Sequence, residues 1–164
     1  MITRQEPTMI TRRDLLGAVS TIAFVGLAGC AGQAAEPGND CEKLPTEPDY
    51  KGWLDDVETY DGTCDARGQD PVTVLVGARG KEAYWEFAPA AVAVSPGTTV
   101  VWEWSGKGGG HDVVSEHGTF TSGRPHSEAG TRFEHTFEAP GVYRYYCTPH
   151  KRAGMKGIIF VTVE

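Results

Sequence analysis

From residue 72 onward the chain is built of short runs in which large side chains recur at every second position, and this pattern limits the fold most. Residues 72–76, 100–104 and 133–137 show this alternation, and Pro-Gly pairs at 96–97 and 140–141 supply turns between runs. Because residues two apart share one face of a strand, each run predicts a strand with one buried face. Short strands separated by turns are typical of an all-β sandwich or barrel.

A second feature is the set of metal-binding side chains near the C-terminus. Cys147, His150 and Met155 lie within nine residues, and His111 follows a glycine run upstream. Two imidazoles, one thiolate and a weak axial thioether form the ligand set of blue-copper electron-transfer sites. The sequence therefore predicts a small protein that binds one copper ion and carries single electrons.

Strand parity indicates where the cysteine lies. Tyr143, Tyr145 and Cys147 fall on one face of the predicted strand, and Arg144 marks the other face as outer. We therefore expect Cys147 on the inward face at the strand's end, where the following loop brings His150 and the methionine around it. The other histidine would arrive from the end of a different strand.

The N-terminus has the pattern of an export signal. Arg12 and Arg13 precede an apolar stretch at 15–29, which is too short to span a bilayer as a helix and ends at Cys30. A twin arginine before such a stretch is typical of Tat export, and residues 1–29 are predicted as a signal peptide with a lipobox. Lipidation of Cys30 would anchor the exported protein to the outer face of the membrane. The alternative is a plain signal peptide with a chance cysteine.

The segment between the signal and the domain contains prolines among polar and charged residues. Residues 30–49 are therefore predicted as a linker and residues 50–164 as the folded domain. Four apolar residues at the start of this domain recur at helical spacing: Tyr50, Trp53, Leu54 and Val57. The spacing predicts a short helix packed on the domain, and an irregular segment plugged by its tryptophan is the alternative.

Charge and cysteine usage narrow the partners and the redox state. The formal net charge is −7 and no basic stripe is present, so a nucleic-acid partner is not expected. With one cysteine assigned to the lipobox and one to copper, Cys41 and Cys64 remain. In an oxidising, exported setting they are expected to form a disulfide, and two free thiols are the alternative.

Longer motifs connect these features to a known family. The segments 96–104, 108–114 and 141–157, together with the Cys-x2-His-x4-Met spacing, resemble cupredoxins of the plastocyanin type, and most closely the membrane-attached halocyanins. This resemblance implies a Greek-key β-sandwich of about eight strands and a type 1 copper. Its trigonal ligands would be His111, Cys147 and His150, and its axial ligand Met155.

The resemblance also implies roles for neighbours of the ligands. The exposed edge of His150 would be the electron port, with Pro149 on its rim, and Tyr146 would mark a second, more remote route. Asp112 departs from the pattern, because plastocyanins usually place an asparagine there to tie the two ligand loops together. The expected partners are redox proteins of a membrane electron-transport chain, and the chain is expected to be monomeric.

Other function classes fit these residues less well. Copper enzymes carry further histidines beside the cysteine, where this chain has Tyr146 and Thr148, so an enzyme is not expected. Structural zinc prefers closed Cys/His sets, and a cysteine nucleophile paired with histidine would leave Met155 without a role. A copper delivery or storage protein remains the alternative, because only redox behaviour separates it from a carrier.

Overall fold

The computed structural model describes residues 40–163, so the predicted signal peptide and Cys30 lie outside the described residues. Within 40–163 the chain forms nine strands and one 3-10 turn at Lys151–Ala153. The strands are β1 (Cys64–Asp65), β2 (Val72–Ala78), β3 (Glu86–Ala88), β4 (Ala91–Val94), β5 (Thr98–Trp104), β6 (Val114–Ser115), β7 (Arg132–Phe137), β8 (Gly141–Tyr146) and β9 (Lys156–Val161).

The strands pair into two sheets, which confirms the predicted all-β sandwich. One sheet has the order β1-β4-β9-β8-β6 and the other β3-β2-β5-β7. The chain crosses between the sheets six times, and two of these crossings, from β4 to β5 and from β7 to β8, are the turns where the sequence carries Pro-Gly pairs. The strands that follow these crossings, β5 and β8, end near the same edge of the sandwich as the predicted metal ligands.

The alternating residues fill the space between the sheets. Val74 and Val76 of β2 are fully buried, whereas Thr73, which lies between Val72 and Val74, is exposed. Trp102 is the centre of the core, where its ring stacks on Phe120 at 5.4 Å and meets Tyr145 edge-on at 5.4 Å between centroids. Buried aromatic rings of this size contribute strongly to the hydrophobic stabilisation of the sandwich.

The predicted helix at the start of the domain is wrong, because residues 51–56 form successive turns. Lys51 and Gly52 have φ of 56° and 74°, a left-handed conformation that a right-handed helix cannot contain. The hydrogen bonds span three residues, as in Val57 N–H to the Leu54 carbonyl at 3.0 Å. Three of the four apolar residues are nevertheless buried, in a second cluster with β4 and β9, and Trp53 packs against it partly buried. The buried members of this cluster are Tyr50, Leu54, Val57, Ala90, Ala91 and Ile158.

The end of the predicted linker lies against the sandwich. Cys41 is bonded to Cys64 of β1, and the Leu44 N–H donates to the Thr63 carbonyl at 2.9 Å. The Glu47 carboxylate accepts the Thr63 N–H at 3.0 Å. A linker stays a prediction over residues 30–39, which the structure does not describe. Among the described residues, no helix is long and apolar enough to cross a bilayer.

Candidate metal centre

Three of the predicted ligands meet at one end of the sandwich. The donor atoms of His111, Cys147 and His150 lie within 4.8 Å of one another. The Cys147 sulfur is 3.7 Å from Nδ1 of His111 and 3.4 Å from Nδ1 of His150. Such separations allow one ion to contact all three atoms, since metal–nitrogen and metal–sulfur bonds are about 2.0–2.3 Å long.

The loop after β8 places Cys147 and Met155 together. Both residues are fully buried in the same core cluster, and the Cys147 N–H donates to the Met155 carbonyl at 3.0 Å. The 3-10 turn at Lys151–Ala153 reverses the chain between them, and the His150 carbonyl accepts the Met155 N–H at 3.2 Å. The inward position of Cys147 follows from the parity of β8, in which Tyr145 is buried.

His111 is held in one orientation by its own loop. Its ring is buried, and Nε2 lies 2.8 Å from the Lys107 carbonyl. A carbonyl only accepts, so Nε2 carries the hydrogen and Nδ1 keeps its lone pair toward the Cys147 sulfur. Burial lowers the pKa of His111, which favours the neutral imidazole that a metal needs.

This loop requires a glycine next to the ligand. Gly108 has φ of +82°, and a Cβ there would lie 2.2 Å from the Tyr84 carbonyl oxygen and 2.9 Å from Nε2 of His111. Any side chain would therefore push the loop away from the ring or from the backbone before β3. The glycine run that precedes His111 in the sequence thus lets the two segments pack in direct contact.

The thiol is the group whose protonation would change on metal binding. Burial raises the pKa of Cys147 to about 11, and the nearby carboxylate of Asp112 adds to this, while backbone hydrogen bonds from Asp112 and His150 oppose it. Without a metal the sulfur is therefore protonated at neutral pH. A cation between the donors reverses this preference, so that metal binding releases a proton.

Asp112 joins the two ligand loops. Its side chain is buried, and Oδ1 accepts the Thr148 N–H at 2.5 Å. This hydrogen bond crosses from the residue after His111 to the residue after Cys147. The hydrogen bond between the loops requires an acceptor at position 112. An aspartate side chain accepts it just as an asparagine side chain would, and it adds a negative charge.

Trp85 is a neighbour of the site that the sequence did not reveal. Its ring stacks on His150 with 4.9 Å between centroids and 14° between planes, and its indole N–H donates to the Gly108 carbonyl at 3.0 Å. The segment before β3 carries no alternating or helical pattern, and the stack joins residues far apart in the chain. No sequence signal pointed to this contact.

The remaining predicted site residues lie around the ligand loop. Tyr146 is half-buried, with the Lys151 ammonium 3.8 Å from its ring centroid, and Pro149 is exposed beside His150. Three other histidines of the described part of the chain lie outside the donor cluster: His117, His126 and His135.

The chain is similar to known copper proteins. Residues 72–162 match the family of copper binding proteins, plastocyanin/azurin family. The chain is 43% identical over 161 residues to halocyanin from Natronomonas pharaonis, covering 92% of this chain and 96% of that protein. It is 34% identical over 100 residues to plastocyanin from Scenedesmus fuscus, covering 55% of this chain and 98% of that protein. The oxidized plastocyanin structure from Dryopteris crassirhizoma is 29% identical with a TM-score of 0.44, covering 56% of this chain and 100% of that one.

Proposed function

The chain belongs to the plastocyanin/azurin family of copper-binding proteins, and from this premise we propose that it is a lipid-anchored electron carrier on the outer face of the cell membrane. It is a type 1 copper electron carrier and not an enzyme. The observation that carries this function is the meeting of His111, Cys147 and His150 within 4.8 Å. We assign the axial position to Met155, which is buried in the same core cluster.

The donor set fits copper better than other metals. Thiolate and thioether ligands are soft and imidazole suits copper in both oxidation states, whereas zinc would gain nothing from the methionine. When bound, copper supplies a one-electron change between Cu(I) and Cu(II). The contribution of the chain is to hold its donors still, through the Lys107 carbonyl behind His111 and the hydrogen bond from Thr148 to Asp112.

His150 is the ligand through which we expect electrons to enter and leave. His111 is 1% exposed and Cys147 is fully buried, whereas His150 is partly exposed at the surface. Pro149 beside it is exposed and uncharged, as a contact for a partner requires. Redox proteins are the partners that an electron carrier needs, and Tyr146 offers a second, more remote route.

Membrane attachment rests on the N-terminal sequence. Arg12 and Arg13 precede the apolar stretch that ends at Cys30, as in lipoproteins exported by the Tat system. The residues between Cys30 and Cys41 would form the tether. A carrier held by a lipid and a short tether can exchange electrons with membrane proteins without diffusing away, which is the arrangement we propose.

Spectroscopy of the purified full chain tests the copper site. We expect Cu(II) to produce an intense blue band that a mild reductant bleaches and that returns on reoxidation. Cys147→Ser should abolish the band, whereas His117→Gln, outside the donor cluster, should retain it. A colourless copper complex, or one that releases its metal on reduction, would favour copper delivery or storage.

Cell fractionation tests the anchor independently. The unmodified protein should be found with the membrane fraction, and Cys30→Ser should release it into the soluble exported fraction with its blue band unchanged. The control is Cys41→Ser combined with Cys64→Ser, which removes both partners of the disulfide and leaves Cys30 in place. Equal membrane association of the Cys30 variant and the unmodified chain would show that the thiol is not the anchor.

A further inference from the structure

Half of the lysines and arginines of residues 40–163 have no ion pair among those residues. Six of the twelve form salt bridges, namely Lys43, Lys51, Arg67, Arg132, Arg144 and Lys156. The other six form none with a carboxylate of the described chain: Arg79, Lys81, Lys107, Arg124, Lys151 and Arg152. Because the chain carries a net charge of −7, carboxylates are plentiful, and the place of the unpaired cations is informative.

Three of the unpaired cations lie on loops that follow β2 and β5. These strands are parallel, so both loops are at the end of the sandwich that holds the metal ligands, here called the copper end. Arg79 and Lys81 follow β2, and Lys107 follows β5. The ring of Tyr84 has the Lys107 ammonium at 5.1 Å and the Arg79 guanidinium at 5.5 Å from its centroid. The backbone carbonyl of Lys107 also holds the His111 ring.

The other three unpaired cations surround the site from two more loops. Arg124 is exposed on the loop whose His126 exchanges two backbone hydrogen bonds with His111, each 2.8 Å long. Lys151 and Arg152 come directly after the ligand histidine of the loop from β8 to β9, and the arginine is exposed. All six unpaired cations therefore lie at the copper end.

Carboxylates near these loops are buried, paired or confined to one side. Asp112 is buried, and Asp56 forms a salt bridge with Lys156. Three glutamates border one cavity on the β3 side of the site: Glu58, Glu82 and Glu86. Away from that side Glu128 is exposed on the same loop as Arg124, and the rest of the exposed rim carries more cations than carboxylates.

We propose that the copper end docks a redox protein whose contacting surface is acidic. This proposal rests on the proposed function and adds the chemistry of the partner. Cations without an ion pair leave a positive potential at one end of an otherwise acidic molecule, and such a field attracts anionic surfaces and turns the copper end toward them. The face also contains His150, the expected electron port, so its occupant must exchange electrons, which a lipid surface does not do.

Stopped-flow oxidation of the reduced, copper-loaded full chain by hexacyanoferrate(III) tests the sign of this potential. One electron passes from Cu(I) to the iron(III) of this trivalent anion, and no proton moves. The net charge of −7 alone would repel the probe, so its rate would rise with salt. We expect the rate to fall between about 0.01 M and about 0.1 M salt, as the Debye length shortens from about 30 Å to about 10 Å. A rate that rises with salt overturns the proposal.

Arg152→Glu reverses one charge of the copper end and should slow oxidation by hexacyanoferrate(III) at low salt about fivefold or more. The matched control is Arg67→Glu, which makes the same charge change at the opposite end of the sandwich, where the next residue, Gly68, donates to Ser95 Oγ after β4. The rate of the control should stay close to that of the unmodified chain. Equal slowing in both variants overturns the proposal, because net charge alone would then explain it.

A cationic oxidant, tris(phenanthroline)cobalt(III), separates charge attraction from damage to the site. It should oxidise Arg152→Glu faster than the unmodified chain. A shifted reduction potential or a distorted site would change the rates with both oxidants in the same direction, and slowing with both overturns the proposal. If Arg152→Glu does not load copper, Arg124→Glu, which alters another loop, decides by the same two rates.

Sedimentation with vesicles of anionic phospholipid tests the other acidic surface that a cationic face could contact. The copper-loaded chains carry Cys30→Ser for this experiment, so that no lipid anchor contributes, and we expect them to stay in solution. Sedimentation that is lost in Arg152→Glu and kept in Arg67→Glu would assign the face to the membrane and overturn the proposal. Failure of the proposed function itself is recognised separately, by the absence of a reversible blue band in the unmodified chain.

Discussion

Glu86 gives the protein a pH-dependent stability that can be measured apart from the copper site. It is 3% exposed at the start of β3, and burial together with the neighbouring carboxylates of Glu58 and Asp56 raises its pKa from 4.5 to about 7. The Thr59 hydroxyl donates to Oε2 at 3.4 Å, and a backbone hydrogen bond from Glu58 also favours the charged form. These bonds do not offset the loss of hydration around the charged form.

The magnitude follows from the difference between the folded and unfolded pKa of Glu86. A rise from 4.5 to about 7 corresponds to about 3.4 kcal/mol, at 1.36 kcal/mol for each factor of ten in proton affinity. The carboxylate borders a solvent-open cavity with Glu58 and Glu82, and screening by that solvent reduces the cost of charging it to about 2 kcal/mol.

The sign follows from linkage. Because the folded pKa of Glu86 lies above the unfolded one, its contribution to stability is complete below pH 4.5 and is lost as the pH rises through about 7. Glu86→Gln cannot ionise and avoids this loss. Relative to the unmodified chain, the variant should therefore gain about 2 kcal/mol of unfolding free energy between pH 4.5 and pH 8.5.

Urea unfolding of the copper-loaded proteins, followed by tryptophan fluorescence at a series of pH values, measures this gain. Titrations shared by both proteins, including those of the copper ligands, cancel in the difference between them. Glu82→Gln is the matched control, because Glu82 lines the same cavity but is exposed, and the gain of Glu86→Gln at pH 8.5 should exceed that of this control. A pH-independent difference for Glu86→Gln would refute the reasoning.

Three further changes probe the site, the disulfide and the core. Asp112→Asn keeps an acceptor between the ligand loops but removes a negative charge. Because this removal favours Cu(I) over Cu(II), voltammetry should show a higher reduction potential than in the unmodified chain. A lower potential would contradict this. Replacing Cys41 and Cys64 by serine removes a disulfide between residues separated by 23 positions. This should lower the free energy of unfolding, measured in urea, by about 3 kcal/mol, with the blue band retained. Gly157→Ala places a Cβ 2.2 Å from the Tyr145 ring and should cost about 2 kcal/mol, whereas an unchanged melting temperature would show that the ring moves freely.

The sandwich and the donor set were predictable because both depend on local sequence patterns. Alternation along a strand decides which side chains face the core, and parity within β8 predicted that Cys147 points inward, where the structure buries it. The Cys147 to Met155 loop is short enough that its spacing alone brings its donors together. Placing His111 beside the other donors required one more inference, namely that the glycine run before it lies at the same end of the sandwich.

What the sequence did not predict depends on backbone conformation and on contacts between distant segments. The apolar residues between 50 and 57 have the spacing of a helix, and Tyr50, Leu54 and Val57 are buried while Trp53 is partly buried. Two left-handed residues, Lys51 and Gly52, make the backbone a series of turns instead. The stack of Trp85 on His150 has no local pattern at all, because it results from how β3 meets the ligand loop.

The contacts around the ligands explain how a site on three separate segments can stay rigid. Three side chains form hydrogen bonds with the backbone of another residue. The His111 ring donates to the Lys107 carbonyl, the Asp112 carboxylate accepts the Thr148 N–H, and the Trp85 indole donates to the Gly108 carbonyl. Because these links are made by the chain itself, the donors keep their places whichever oxidation state the ion has. A site preorganised in this way limits rearrangement during electron transfer, so its rates should depend most on the contact between the site and the partner.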